Sequence, residues 1–69
     1  MLETWQDRLS AEYNETTDRL TKLNRFLAND QNLHMLSRQD VGLLIAQSYA
    51  MAQYVDILKT RLLRAEVPL

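Results

Sequence analysis

Val41-Gly42-Leu43-Leu44-Ile45-Ala46-Gln47-Ser48-Tyr49-Ala50-Met51-Ala52-Gln53-Tyr54-Val55 carries no charged side chain. Through and beyond it, Val41, Leu44, Ser48, Met51, Val55, Leu58 and Leu62 recur in steps of three and four. That is the period of one face of an α-helix. Leu43, Gln47, Ala50, Tyr54 and Ile57 lie beside this row, and Ile45, Tyr49 and Ala52 face a third direction. A helix in a monomeric hairpin needs a single apolar stripe. This one is apolar nearly all round, which predicts the inner helix of a homo-oligomer. The spacing places it at residues 38–64. Ser37 serves as N-cap, and Asp40 is the acid that faces the helix dipole. With its Gln and Ser content it is expected to be too short and too polar for a membrane span of about 20 apolar residues.

Upstream, residues 3–28 form the companion helix, roughly 39 Å long at 1.5 Å per residue. Leu2, Trp5, Leu9, Thr16 and Leu23 follow helical spacings, with Tyr13, Leu20 and Leu27 as a second row. Asp7, Glu15, Asp18, Lys22 and Arg25 occupy the opposite face. Asn29-Asp30-Gln31-Asn32 breaks the helix, since Asn and Asp side chains bond the local backbone. Residues 29–37 are the connection, in which Leu33, Met35 and Leu36 read as one extra helical turn or as an apolar latch. Residues 65–69 are a tail. The expected fold is therefore all-α: an antiparallel helical hairpin of two long helices and a short connecting turn, one domain over 1–69.

Charge agrees with that pairing. Residues 1–18 hold five acids and one Arg, and residues 59–69 hold three cations and one acid. An antiparallel hairpin sets these ends together, an attraction small per exposed pair that still selects orientation.

Composition narrows the function classes. One Gly and one Pro in 69 residues leave little material for the turns of a sandwich or barrel. The absence of Cys removes disulfides, thiolate metal sites and a Cys nucleophile. A single His builds no His cluster, and His34 reads as a solvated or capping residue of the connection. A net charge of −1 supplies no bulk positive field for nucleic acid. The run Arg19, Lys22, Arg25 reads as a solvated face. The acidic start, Met1-Leu2-Glu3-Thr4-Trp5, is not that of a signal peptide. No phosphate loop, metal loop or acid–base constellation stands out, so no enzyme, cofactor or metal is expected. So small a domain is marginal alone, and self-association is the remaining source of stability.

The polar residues on apolar faces carry what functional signal there is: Glu12 on the edge of the first stripe, Gln47 and Ser48 inside the charge-free run, and Arg61 near Ile57 and Tyr54. Such groups cost stability unless they are bonded. Two readings stand side by side. In one, Glu12 or Glu3 pairs with Arg61 in the hairpin, or Gln47 bonds across an oligomer seam and fixes register. In the other, these residues bind a ligand. Tyr13 and Tyr54 stack on bases, Arg61 with Arg8 or Lys59 holds phosphate, and Gln47, Ser48 and Glu12 read polar edges. A register centred near residue 33 makes Tyr13, Tyr54 and Glu12 neighbours. Core packing is the competing role for each tyrosine.

The series Glu12-Tyr13, Leu23-Asn24-Arg25-Phe26-Leu27, Leu43-Leu44-Ile45-Ala46-Gln47 and Met51 to Arg61 resembles a group of very small helical phage proteins first flagged in crAss-like phages. Proteins of this kind include oligomeric sponges that capture cyclic nucleotide alarm signals and blunt CBASS-type immunity. The resemblance implies a homo-oligomer, with a tetramer favoured, in the cytoplasm of an infected bacterium. Its implied ligand is a cyclic di- or trinucleotide, with a TIR-derived adenine nucleotide as a related signal. Glu12, Tyr13, Gln47, Ser48, Tyr54 and Arg61 are then the ligand-binding residues, and neither DNA nor a membrane is a partner. A docking protein that uses a helical face on a host or phage protein is the alternative.

Overall fold

The computed structural model describes residues 4–69. Three helices follow in order: α1 at Trp5–Leu27, α2 at Asp30–His34 and α3 at Arg38–Arg64. The two long helices pack together as an antiparallel hairpin, and no strand occurs among the described residues. The body measures 46 × 22 × 15 Å with a radius of gyration of 15.1 Å. A globular chain of this length would have a radius of about 11 Å. The rod shape leaves little interior.

Each helix end is set by local chemistry. Thr4 caps α1: its side chain accepts from the Asp7 amide at 3.1 Å, and the Thr4 amide donates to the Asp7 carboxylate at 3.3 Å. This reciprocal capping box starts the helix at Trp5 rather than at residue 3. Leu2 and Glu3, given roles by periodicity and charge, lie outside the described residues. Ser37 caps α3 as expected, accepting from the Asp40 amide at 3.1 Å.

The connection departs from the simple turn. Ala28 closes α1 and Asn29 opens α2, its side chain accepting from Gln31 N at 3.0 Å. Asn32 Nδ2 donates to the Phe26 carbonyl at 3.2 Å, tying α2 to the end of α1. The extra turn is thus built by asparagine capping rather than by an apolar latch. Leu33 and Leu36 are half-buried, but Met35 is 83% exposed.

The tail is partly structured. Val67 N donates to Leu62 O at 3.0 Å and Glu66 N to Leu63 O at 3.1 Å. Glu66 takes the left-handed conformation, φ 59°. These bonds form a Schellman motif, and Val67 packs back on Leu62 and its neighbours.

The inward row of α3 is the expected one. Leu58 and Leu62 are buried, and Val41, Leu44, Ser48, Met51 and Val55 are half-buried. From α1, Leu9 and Thr16 are buried. Among the described residues Leu9, Leu58 and Leu62 make up the whole buried apolar core. Much of α3 faces solvent, with Leu43 69%, Tyr49 70% and Ile57 57% exposed.

Two expectations bear on charge and on length. Among the described residues both ion pairs lie inside α1, at Arg19–Glu12 and Lys22–Asp18. Among the described residues no ion pair joins the two helix ends, and what holds α1 on α3 there is apolar packing of Leu9, Leu58 and Leu62. The length argument against a membrane span fails. With 27 residues, and a mean hydropathy of 1.2 over an 18-residue window, α3 is long and apolar enough to cross one.

Candidate ligand groove

The packing of Leu9 against Leu58 sets α1 and α3 in the register centred near residue 33. Beside that contact lies an open groove of about 470 Å³. Trp5, Arg8, Leu9 and Glu12 line it from α1, and Tyr54, Leu58 and Arg61 from α3. The spacing explains the two walls. Trp5, Leu9 and Glu12 stand on successive turns, as do Tyr54, Leu58 and Arg61.

Glu12 is held in place from its own helix. Thr16 Oγ1 donates to Glu12 Oε1 at 3.1 Å, and Arg19 Nη2 donates to Thr16 Oγ1 at 3.3 Å. Arg19 Nη2 also lies 3.9 Å from Glu12 Oε1. Thr16 is the one buried polar residue of the described chain, and these two partners satisfy its hydroxyl. Across the groove the Tyr54 phenol titrates above its ordinary range. Partial loss of water contributes most, then the negative Glu12 carboxylate and its hydrogen bonding to the phenol, while Arg61 and Arg19 pull the other way.

The groove therefore offers two aromatic surfaces, Trp5 and Tyr54, which are 52% and 43% exposed. It adds two guanidinium groups, Arg8 and Arg61, and one braced carboxylate. Planar bases stack on aromatic faces, guanidinium groups bind phosphate, and a carboxylate accepts from amino or hydroxyl groups. The volume lies within the ~300–1,000 Å³ typical of small-molecule sites.

Residues 3–64 match the family model described as Sequestin. The chain belongs to the Sequestin family. The match spans both long helices and both walls of the groove. The name denotes sequestration of some molecule, a role compatible with a sponge. No curated protein and no solved structure matches this Sequestin chain.

Of the six residues expected to bind ligand, the structure gathers Glu12, Tyr54 and Arg61 in the groove. Tyr13 instead packs on Leu9, Leu58 and Leu62. Gln47 and Ser48 stand away from it on α3. Gln47 Nε2 approaches Met51 Sδ at 3.9 Å, and Ser48 Oγ donates to the Ile45 carbonyl at 2.7 Å. Lys59, weighed beside Arg8 as a phosphate contact, is not among the lining residues, whereas Arg8 is. Trp5 was read as a stripe residue only.

Proposed function

We propose that this Sequestin protein is a phage immune-evasion protein that binds a cyclic oligonucleotide defence signal of its bacterial host and holds it without cleavage. The observation that carries the reading is the Trp5, Arg8, Glu12, Tyr54 and Arg61 groove. Arg8 and Arg61 hold phosphate, Trp5 and Tyr54 stack on bases, and Glu12 accepts from a base amino group or a ribose hydroxyl. The family's name supports capture of a molecule. A sponge needs no catalytic group, and symmetry lets a tiny chain build an enclosing site. The protein acts as a soluble homo-oligomer, a tetramer being the favoured form, in the cytoplasm of the infected cell. DNA is not its partner, since the chain's net charge is −1.

Native mass spectrometry with a panel of cyclic di- and trinucleotides tests this. TIR-derived adenine nucleotides belong in the same panel. One nucleotide should add its intact mass to the oligomer, and Trp5→Ala and Arg8→Ala, which change the groove wall of α1 alone, should each abolish that adduct without dissolving the oligomer. Retained binding in both variants rejects the groove. No adduct with any nucleotide rejects the reading and favours the second one, a protein partner docked on the exposed apolar side of α3.

A further inference from the structure

Asp40, Gln47, Tyr54 and Arg61 stand seven residues apart on α3, and all four are exposed. A seven-residue step keeps side chains on one stripe that drifts only about 20° per step. Leu43, Ala50 and Ile57 form a parallel exposed row one turn away. We infer that this double row is where a second copy of the chain packs, with the two α3 helices antiparallel and related by a two-fold axis between Ala50 and Met51.

Three observations select a second copy as occupant. First, the polar row is self-complementary. About that axis Asp40 faces Arg61 of the partner subunit, Gln47 faces Tyr54 of the partner subunit, and symmetry repeats both pairs. A parallel arrangement would instead set Arg61 and Arg64 beside their own copies. Secondly, the axis coincides with the middle of Arg38–Arg64, so the overlap uses the whole helix. A swath of roughly 40 Å by 10 Å follows, on the order of 400 Å² before side-chain relief is counted. That is about half of the ~800 Å² per partner of a standard interface, and the relief of Leu43, Tyr54, Ile57 and Arg61 adds to it. Thirdly, a buried core of Leu9, Leu58 and Leu62 is thin for a free-standing chain, while Leu43 and Ile57 remain 69% and 57% exposed.

The pairing also completes the groove, an extension that rests on the sponge reading. Tyr54 and Arg61 belong to both the groove wall and the seam. The antiparallel copy brings Gln47 of the partner subunit to Tyr54, which Gln47 of the same chain does not reach. Arg61 has donors enough for Asp40 of the partner subunit and a ligand phosphate together. The site is then shared by two chains.

The test needs no ligand. In sedimentation velocity the wild type should self-associate. Asp40→Arg and Arg61→Asp should each weaken association about tenfold or more. The double variant, which restores opposite charges across the seam, should recover it. The chain has no Cys, so introduced thiols report orientation cleanly. Leu43→Cys mixed with Ile57→Cys should give the mixed disulfide, and Leu43→Cys alone should not cross-link to itself. Self-cross-linking of Leu43→Cys, no recovery in the double variant, or a wild type monomeric at every concentration overturns the inference. Flotation of the wild type with lipid vesicles would assign the face to a membrane and overturn it too. A monomer that binds nucleotide would leave the sponge reading standing. An antiparallel dimer that binds none would leave the pairing standing and remove that reading.

Discussion

Thr16 Oγ1 donates a hydrogen bond to Glu12 Oε1 at 3.1 Å across one turn of α1. The same oxygen accepts from Arg19 Nη2 at 3.3 Å. A buried hydroxyl thereby braces an acidic group on the wall of an open groove. Three residues at i, i+4 and i+7 form one device, and its output end is the carboxylate opposite Tyr54.

Thr16→Val keeps the shape of the side chain and removes the hydroxyl. Glu12 and Arg19 are solvent-exposed enough to bond water instead, so the loss of stability should stay near 1 kcal/mol. Nucleotide affinity should fall about tenfold, because Glu12 loses its brace. Thermal melts and titration calorimetry on the same variant separate the two effects. Unchanged affinity would show that the brace does not serve the groove.

Tyr54 titration reads the groove without a ligand. With Tyr13 and Tyr49 changed to Phe, the ultraviolet titration of the remaining phenol should have its midpoint above 10.0. Glu12→Gln should bring it down, since a negative neighbour is gone. The sign for stability follows. A raised folded pKa means that the folded state holds the proton more tightly, so stability is intact below the ordinary tyrosine pKa and declines as pH climbs through the raised one. A midpoint indifferent to Glu12→Gln would contradict the groove's geometry.

Leu58→Ala should unfold the chain or nearly so. Truncating a buried leucine costs about 2–5 kcal/mol. A domain of 69 residues has roughly 3–10 kcal/mol in all. Leu58 is 1% exposed and belongs to a three-leucine core, so little can rearrange to fill the void. Leu43→Ala, at an exposed position, should leave the circular dichroism of the chain intact. A Leu58→Ala variant that melts like the wild type would refute the packing.

Glu66→Gly should stabilise. Glu66 sits at φ 59°, where a side chain meets the following carbonyl and glycine does not. The gain should be about 1 kcal/mol, read as a higher melting midpoint. Glu66→Val should do the reverse, because β-branching worsens the same clash. Equal midpoints for the two variants would show that the Schellman motif does not form.

The two long helices, the Ser37 cap and the inward row of α3 from Val41 to Leu62 were all legible in the sequence. They depend on period and on short-range hydrogen bonds, which a one-dimensional pattern records directly. The start of α1 was missed because the Thr4–Asp7 capping box is local chemistry that outweighs an apolar stripe extended by periodicity. The α2 turn was left undecided for a similar reason: Asn29 and Asn32 settle it by bonding the backbone.

The site divided differently. Periodicity placed Glu12 at a stripe edge and Arg61 near Tyr54, and a register near residue 33 made Glu12, Tyr13 and Tyr54 neighbours. What periodicity could not rank was Tyr13 against Tyr54. Both lie on helical faces, and only the crossing of α1 over α3 turns Tyr13 towards Leu9, Leu58 and Leu62 while leaving Tyr54 on the groove. The partner of Glu12 was decided by the burial of Thr16 against α3. Charge alone offered Arg61 across the hairpin, but buried Thr16 draws Glu12 to its own helix and to Arg19. The sequence by itself determined the helices, their caps and the uncharged face of α3, because each follows from interactions within a turn or two of chain. Only the tertiary structure decided which polar side chains share a groove, because that depends on the side-by-side offset of two helices set by a handful of leucines.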